Sequence, residues 1–223
     1  MDALQKFNVS QIAARLDRPF SMINITSVGD VLLSVYLCQG VLDWHKHIDN
    51  DELFWVYEGV ILLESEWGNI RLRPAEIALV PKGVGHRSGS AMRSIVLLLR
   101  CGLGAERKNG RRRLYAMPGE AKLKSLNLIA TAQALTIPFE FHPVTWVDES
   151  VMQVAWGEGI WPLPDRTPHD RLFFVLGGEA TVRSPGSMLH LHGGEFTVLP
   201  GGMTAQLSTT QGTVLVLLMH EEM

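Results

Sequence analysis

The sequence predicts an all-β protein made of two tandem copies of one unit of about 100 residues. Three observations predict it. The 21 glycines and 11 prolines are scattered between short apolar runs along all 223 residues, which is how a chain of short strands and turns reads. The apolar runs either alternate with polar residues or are apolar throughout over five to eight positions, as strands do and long helices do not. The chain also matches itself at an offset of 119 positions. Leu53-Phe54-Trp55-Val56-Tyr57-Glu58-Gly59 falls on Leu172-Phe173-Phe174-Val175-Leu176-Gly177-Gly178, Pro81-Lys82-Gly83 on Pro200-Gly201-Gly202, and Pro19-Phe20 on Pro138-Phe139. Gly40 falls on Gly159 and Leu98-Leu99 on Leu217-Leu218 without a gap. A series of matches at one offset marks an internal repeat.

Taken in order, residues 10–16 predict a short helix capped by Asn8 or Ser10, with its counterpart near residues 126–135. The rest of each unit is expected to form strands, the clearest in the first copy over 31–39, 52–58, 60–66, 69–73, 76–80 and 93–100. "NIRLRPAE" alternates and suits a half-buried strand, whereas "ELFWVYEG" and "SIVLLLR" are apolar on both faces and need cover on both sides. The sister unit or a second copy of the chain, as a homodimer, can supply that cover. Residues 102–119, "GLGAERKNGRRRLYAMPG", are basic and flanked by glycine, as linkers are. The expected organisation is therefore 1–101, a linker over 102–119, and 120–223.

Chemistry concentrates in "DWHKHIDNDELFWVYEG", Asp43 to Gly59. On a strand His45 and His47 share one face, and a turn at "IDND" can return Glu52 beside them. "PKGVGHR" places His86 just past a Pro-x-Gly turn. Three imidazoles and one carboxylate are a ligand set for a borderline divalent ion such as Fe, Mn, Ni or Zn, one per chain. Ca²⁺ or Mg²⁺ would want more oxygen ligands.

The run from Gly40 through His45, His47 and Glu52 to Gly59 resembles the first motif of the cupin superfamily, and Glu76 to His86 resembles the second. Ala75 replaces the second motif's leading glycine and Ser90 an asparagine that often follows the histidine; neither is a ligand. The resemblance implies two tandem cupin-type jelly-roll β-barrels with short N-terminal and linker helices. It also implies His45, His47, Glu52 and His86 as the metal ligands. At the same offset the second copy holds Pro164, Arg166, Arg171 and Ala205, so its barrel is expected to lack the metal. "HLH" at His190–His192 aligns with Arg71 and Arg73, between the motifs, and reads as an exposed polar face.

Phe54 and Val56 share the parity of Glu52, and Ser88 that of His86, so these three are the expected substrate pocket. Trp55 has the opposite parity and is expected at an interface. No acid or base stands out near the motif, so the catalytic residues are left unassigned, and no organic cofactor is implied. The net charge of −3 and the lack of an aromatic platform beside the linker arginines argue against nucleic acid. No apolar run reaches the length of a spanning helix, and "MDALQKFNVS" lacks signal-peptide character, so a cytoplasmic protein without a membrane role is expected. Cys38 and Cys101, far apart in sequence, are expected to be buried thiols. The family includes dioxygenases, oxalate-type oxidases and decarboxylases, sugar isomerases and sugar-binding modules. The expected function is metal-dependent dioxygenase or isomerase chemistry on a small oxygenated substrate in the N-terminal barrel. The alternative is a non-catalytic barrel that binds a small molecule or carbohydrate.

Overall fold

The structure, a computed structural model, describes residues 4–101, 122–162 and 167–220. The expected linker over 102–119 lies outside them, as do Pro164 and Arg166. The first half of the chain forms β1 (Lys6–Asn8), α1 (Val9–Ala13), β2 (Met22–Val28), β3 (Val31–Val41), β4 (Glu52–Glu58), β5 (Ile61–Ser65), β6 (Gly68–Leu72), β7 (Glu76–Val80) and β8 (His86–Cys101). The second half forms β9 (Leu126–Asn127), α2 (Leu128–Gln133), β10 (His142–Val147), β11 (Ser150–Pro162), β12 (Arg171–Gly177), β13 (Glu179–Ser184), β14 (Ser187–His192), β15 (Glu195–Leu199) and β16 (Gln206–His220). No helix among the described residues is long and apolar enough to cross a membrane.

These elements make two antiparallel eight-stranded sheets, and the protein is all-β. One follows the order β2-β3-β8-β4-β7-β9, with β5 pairing β6 and β8; the other follows β1-β15-β12-β16-β11-β10, with β13 pairing β14 and β16. Among the described residues, 11–101, 122–127 and 147–149 form one compact unit, the first barrel. Residues 4–10, 128–146, 150–162 and 167–220 form the other, the second barrel. The two-residue strand β9 therefore edges the first barrel's sheet, with Leu126 opposite Ile77 and Asn127 opposite Glu76. Strand β1 edges the second, with Phe7 opposite Phe196 and Asn8 opposite Glu195.

The 119-residue repeat is visible in the backbone. Positive φ angles recur at Phe20 and Phe139 (57° and 59°), at Gly29 and Asp148 (54° and 50°), and at Gly40 and Gly159 (both 86°). The ladders also break at equivalent places, between Cys38 and Gly40 and between Gly157 and Gly159. Gly59 is required twice over. Its φ is +82°, and a Cβ there would stand 2.9 Å from the Cα of Ser94; Gly178 stands in the same relation to Thr213, also at 2.9 Å.

Each barrel closes on its own apolar interior. In the first, Val56, Ile61, Leu63, Leu72 and Val96 are fully buried in one cluster with Tyr36, Cys38 and Phe54. In the second, Val175, Val182, Leu191, Leu199 and Leu207 do the same around Phe173.

Three expectations are corrected. The helix at 10–16 is shorter and earlier, Val9–Ala13. Strand β8 begins at His86 and not near residue 93, because the polar run 87–92, which reads locally as a turn, pairs with β5 and β3. Of the two free thiols, Cys38 is buried but Cys101 is only half-buried. Trp55 is 1% exposed within the chain itself.

Candidate metal centre

Glu52 opens β4, a strand buried from its first residue to Val56. Its Cα partners are Val80 on β7 and Arg100 on β8. The apolar strand carries the carboxylate inside with it, to 4% exposure. An ion in that position is stable only beside compensating groups. His86 Nε2 lies 2.9 Å from Glu52 Oε2, His47 Nε2 3.4 Å from the same oxygen, and Arg100 Nη1 4.0 Å from Oε1. Burial pushes the Glu52 carboxyl up, but the imidazoles of His47 and His86 outweigh it and hold the group down at about 2. Glu52 in turn raises His47 against the effect of burial.

The histidines are placed by two backbone devices. Pro81 to Val84 make a tight turn closed by Val84 N donating to Pro81 O at 3.2 Å, and Gly83 N donates to His47 O at 2.7 Å. The Pro-x-Gly turn thus holds the loop that carries His47. His45 and His86 form an isolated antiparallel bridge, with N–H···O distances of 3.0 and 2.8 Å. Bridge partners direct their side chains to one face, and the two rings sit 4.5 Å apart. His47 completes the group at 5.2 Å from His45 and 5.7 Å from His86. The expectation that His45-x-His47 lies on a strand is corrected: apart from that bridge, residues 42–51 have no strand pairing. Asp49, Asn50 and Asp51 are turn formers, and the Asp51 carboxylate accepts from Lys82 N at 2.9 Å, pinning the loop.

Hydrogen bonding decides what the imidazoles offer. His45 Nδ1 is 2.9 Å from Asp43 O and His86 Nδ1 is 3.0 Å from Val84 O. A carbonyl oxygen only accepts, so both Nδ1 atoms carry the proton and, in the neutral ring, both Nε2 atoms present lone pairs. His86 Nε2 then faces a carboxylate oxygen at 2.9 Å, an arrangement that calls for a proton or a cation between two acceptors. The buried His47 Nε2 makes no regular hydrogen bond and meets Glu52 only as a 3.4 Å ion-pair contact. Ligand atoms of all four residues lie within 4.8 Å of one another. Carbonyls fixing Nδ1–H and aiming Nε2 inward are the usual support of metal-binding histidines. The donor set therefore fits a divalent transition ion.

The side chains expected around this cluster are distributed as follows. Phe54, 3% exposed, meets the His86 ring edge-on at 5.7 Å. Val56 is fully buried in the apolar cluster behind it. Ser88 Oγ accepts from Tyr36 Oη at 3.1 Å. Tyr36 and Arg100 escaped the sequence reading. Burial, helped by Cys38 and Glu52, raises the Tyr36 phenol well above its ordinary value, and burial pushes the Cys38 thiol to about 11. Tyr36 shares a strand face with Cys38, which parity alone reveals. Arg100 approaches Glu52 through the β4–β8 register, which no local pattern carries.

No second cluster of metal-ligating side chains occurs among the described residues. In the second barrel Arg171 and Ala205 stand where the first has Glu52 and His86. His190 and His192 lie exposed on β14, one bonded to Thr181 at 3.0 Å, the other 3.5 Å from Glu179.

No family model matches the chain. Over 91 residues it is 33% identical to uncharacterized protein YdbB of Bacillus subtilis, a match spanning 40% of this chain and 80% of the relative. Its fold superposes on a cupin 2 conserved barrel domain protein from Leptotrichia buccalis with a TM-score of 0.73 and 12% identity, covering 99% of this chain and 98% of that one. The chain has the cupin fold. The cupin fold is shared with a salicylate 1,2-dioxygenase from Pseudaminobacter salicylatoxidans, at TM-score 0.72 and 12% identity, over 97% of this chain and 83% of the enzyme. Within this fold, then, the clustered histidines and glutamate belong to the first barrel, and the second barrel has an arginine in the glutamate's place.

Proposed function

We propose that the protein is a metal-dependent cupin enzyme acting on a small oxygenated substrate at His45, His47, Glu52 and His86, by dioxygenase or isomerase chemistry. The observation that supports it most is the set of inward-facing Nε2 lone pairs around one buried carboxylate. A divalent ion held by three neutral imidazoles and one carboxylate would keep about one net positive charge, polarise a substrate oxygen and, as iron, support O₂ chemistry. The chain's own contributions are distinct. The Asp43 and Val84 carbonyls fix the ring orientations of His45 and His86. Phe54 gives the cluster an apolar wall, with Val56 packed behind it, and Ser88 is the nearest hydroxyl expected to face a ligand. Tyr36, kept protonated, holds that hydroxyl and is a donor in reserve. A dioxygenase stands on the same fold, which makes oxygen consumption the first activity to measure.

The test is elemental analysis of protein purified without a nickel column, followed by O₂ uptake and isomerase assays on a panel of diketones, catechols and sugars. The expected result is about one equivalent of Fe, Mn, Ni or Zn and turnover of one substrate class, both lost in Glu52→Gln. Metal-loaded protein that turns over no member of the panel would favour the alternative, a barrel that only binds.

A further inference from the structure

The second barrel contains a cavity of about 250 Å³, and Arg171 is the one charged residue among the described residues of its wall. This arginine opens β12 at the position that Glu52 holds in β4, and it is only 2% exposed. Its Nη2 donates to Met203 O at 3.1 Å, while its buried Nε has no hydrogen-bond partner. No carboxylate among the described residues lies within ion-pair distance of it. A guanidinium does not escape burial by losing its proton, so an unpaired one is strongly disfavoured. Burial alone pulls its pKa down, with no opposing partner.

The rest of the described cavity wall is mainly apolar, with four aromatic rings beside Leu217 and Met219. Trp161 lies parallel to Phe139 at 5.8 Å and packs on Phe141 at 5.0 Å. Phe173 closes the group edge-on, 6.4 Å from both Trp161 and Phe141. Gln153 and Thr167 are the other polar residues among the described residues of the wall.

We infer that the second barrel binds a small carboxylate with a flat apolar body, its carboxylate on Arg171 and its body among Phe139, Phe141, Trp161 and Phe173. One fixed positive charge matches one carboxylate; a phosphate dianion would leave charge uncompensated. A carbohydrate would need more hydrogen-bonding groups than Gln153 and Thr167 provide. The planar guanidinium fork suits two carboxylate oxygens, and the rings suit offset or edge-on contact with a flat body. The volume exceeds the ~150 Å³ of an apolar cavity that takes up benzene, so it admits one small ring system. The inference does not depend on the chemistry assigned to the first barrel.

The experiment is calorimetric titration of the full chain with benzoate and phenylacetate, beside the neutral isostere benzamide. At least one acid should bind, and at least about tenfold more tightly than benzamide, a difference of about 1.4 kcal/mol. Arg171→Met should weaken acid binding by tenfold or more, and His47→Ala should leave it unchanged. The inference is overturned if neither acid binds below about 1 mM, if benzamide binds equally well, if Arg171→Met binds the acids undiminished, or if His47→Ala abolishes binding. The acid–amide comparison needs no variant, so it decides the matter even if Arg171→Met fails to fold.

Discussion

Glu52 is the residue on which the first barrel's polar centre turns, because its charge is inside and two imidazoles depend on it. Replacing it by Gln keeps the shape and removes the charge. The expected outcome is loss of bound metal by at least tenfold at fixed free-metal concentration, with little change in far-UV circular dichroism, measured by competition with a chelator. Retention of metal by Glu52→Gln would place the ion elsewhere. The four clustered side chains are legible in the sequence because motif spacing, at most seven residues in the first motif, survives whatever the rest of the chain does. Tyr36 and Arg100 are not legible in that way. Their neighbours come from strands about 50 residues away, and only the sheet register selects them.

At the scale of elements, Ala75 holds the left-handed backbone conformation that its counterpart Gly194 also adopts, with φ of 65° against 84°. A Cβ in that region is disfavoured by about 1–2 kcal/mol, partly offset by the entropy glycine adds to the unfolded chain. Ala75→Gly should therefore stabilise the first barrel by about 0.5–1 kcal/mol in urea unfolding, with unchanged metal content. Gly59→Ala should do the reverse, destabilising by about 2 kcal/mol or more, because it adds a clash with Ser94 to the same backbone strain. Strand β1 has its own pH dependence. Burial pulls the Glu195 carboxyl up, but Asn8, the His192 N–H and Lys6 outweigh it and bring it below its usual value. A carboxyl lowered by folding contributes stability that is complete above its unfolded pKa, about 4.3, and is lost as pH falls through the folded value. Amide exchange at Lys6–Asn8 should accordingly accelerate below about pH 4 before the core of the sheet responds. Equal protection of β1 at pH 3 and pH 6 would contradict this. Strand positions were largely legible because β4, β5, β7 and the end of β8 carry uninterrupted apolar runs. Two features were hidden for one reason: β1 and the start of β8 exist through pairing partners, not through any pattern of their own.

For the whole molecule, the repeat was legible because turn glycines and paired prolines are the positions least able to change. The path of the chain was not. Strand β1 borders β15, while β9, its equivalent in the repeat, borders β7. Leu4 is buried in the second barrel's apolar cluster, and Phe7 stacks on Phe196 at 5.0 Å. Deleting residues 1–8 should therefore lower the stability of the C-terminal half by on the order of 3 kcal/mol, read as an earlier thermal transition, while the metal content of the first barrel stays intact. The pairing of β1 with β15 bears on any attempt to study the halves apart. A fragment starting at residue 122 would leave the backbone of Glu195, Phe196 and Thr197 without its native neighbour. Bare sheet margins recruit whatever extended peptide comes near, so such a fragment would precipitate or self-associate unless the first eight residues were supplied in trans.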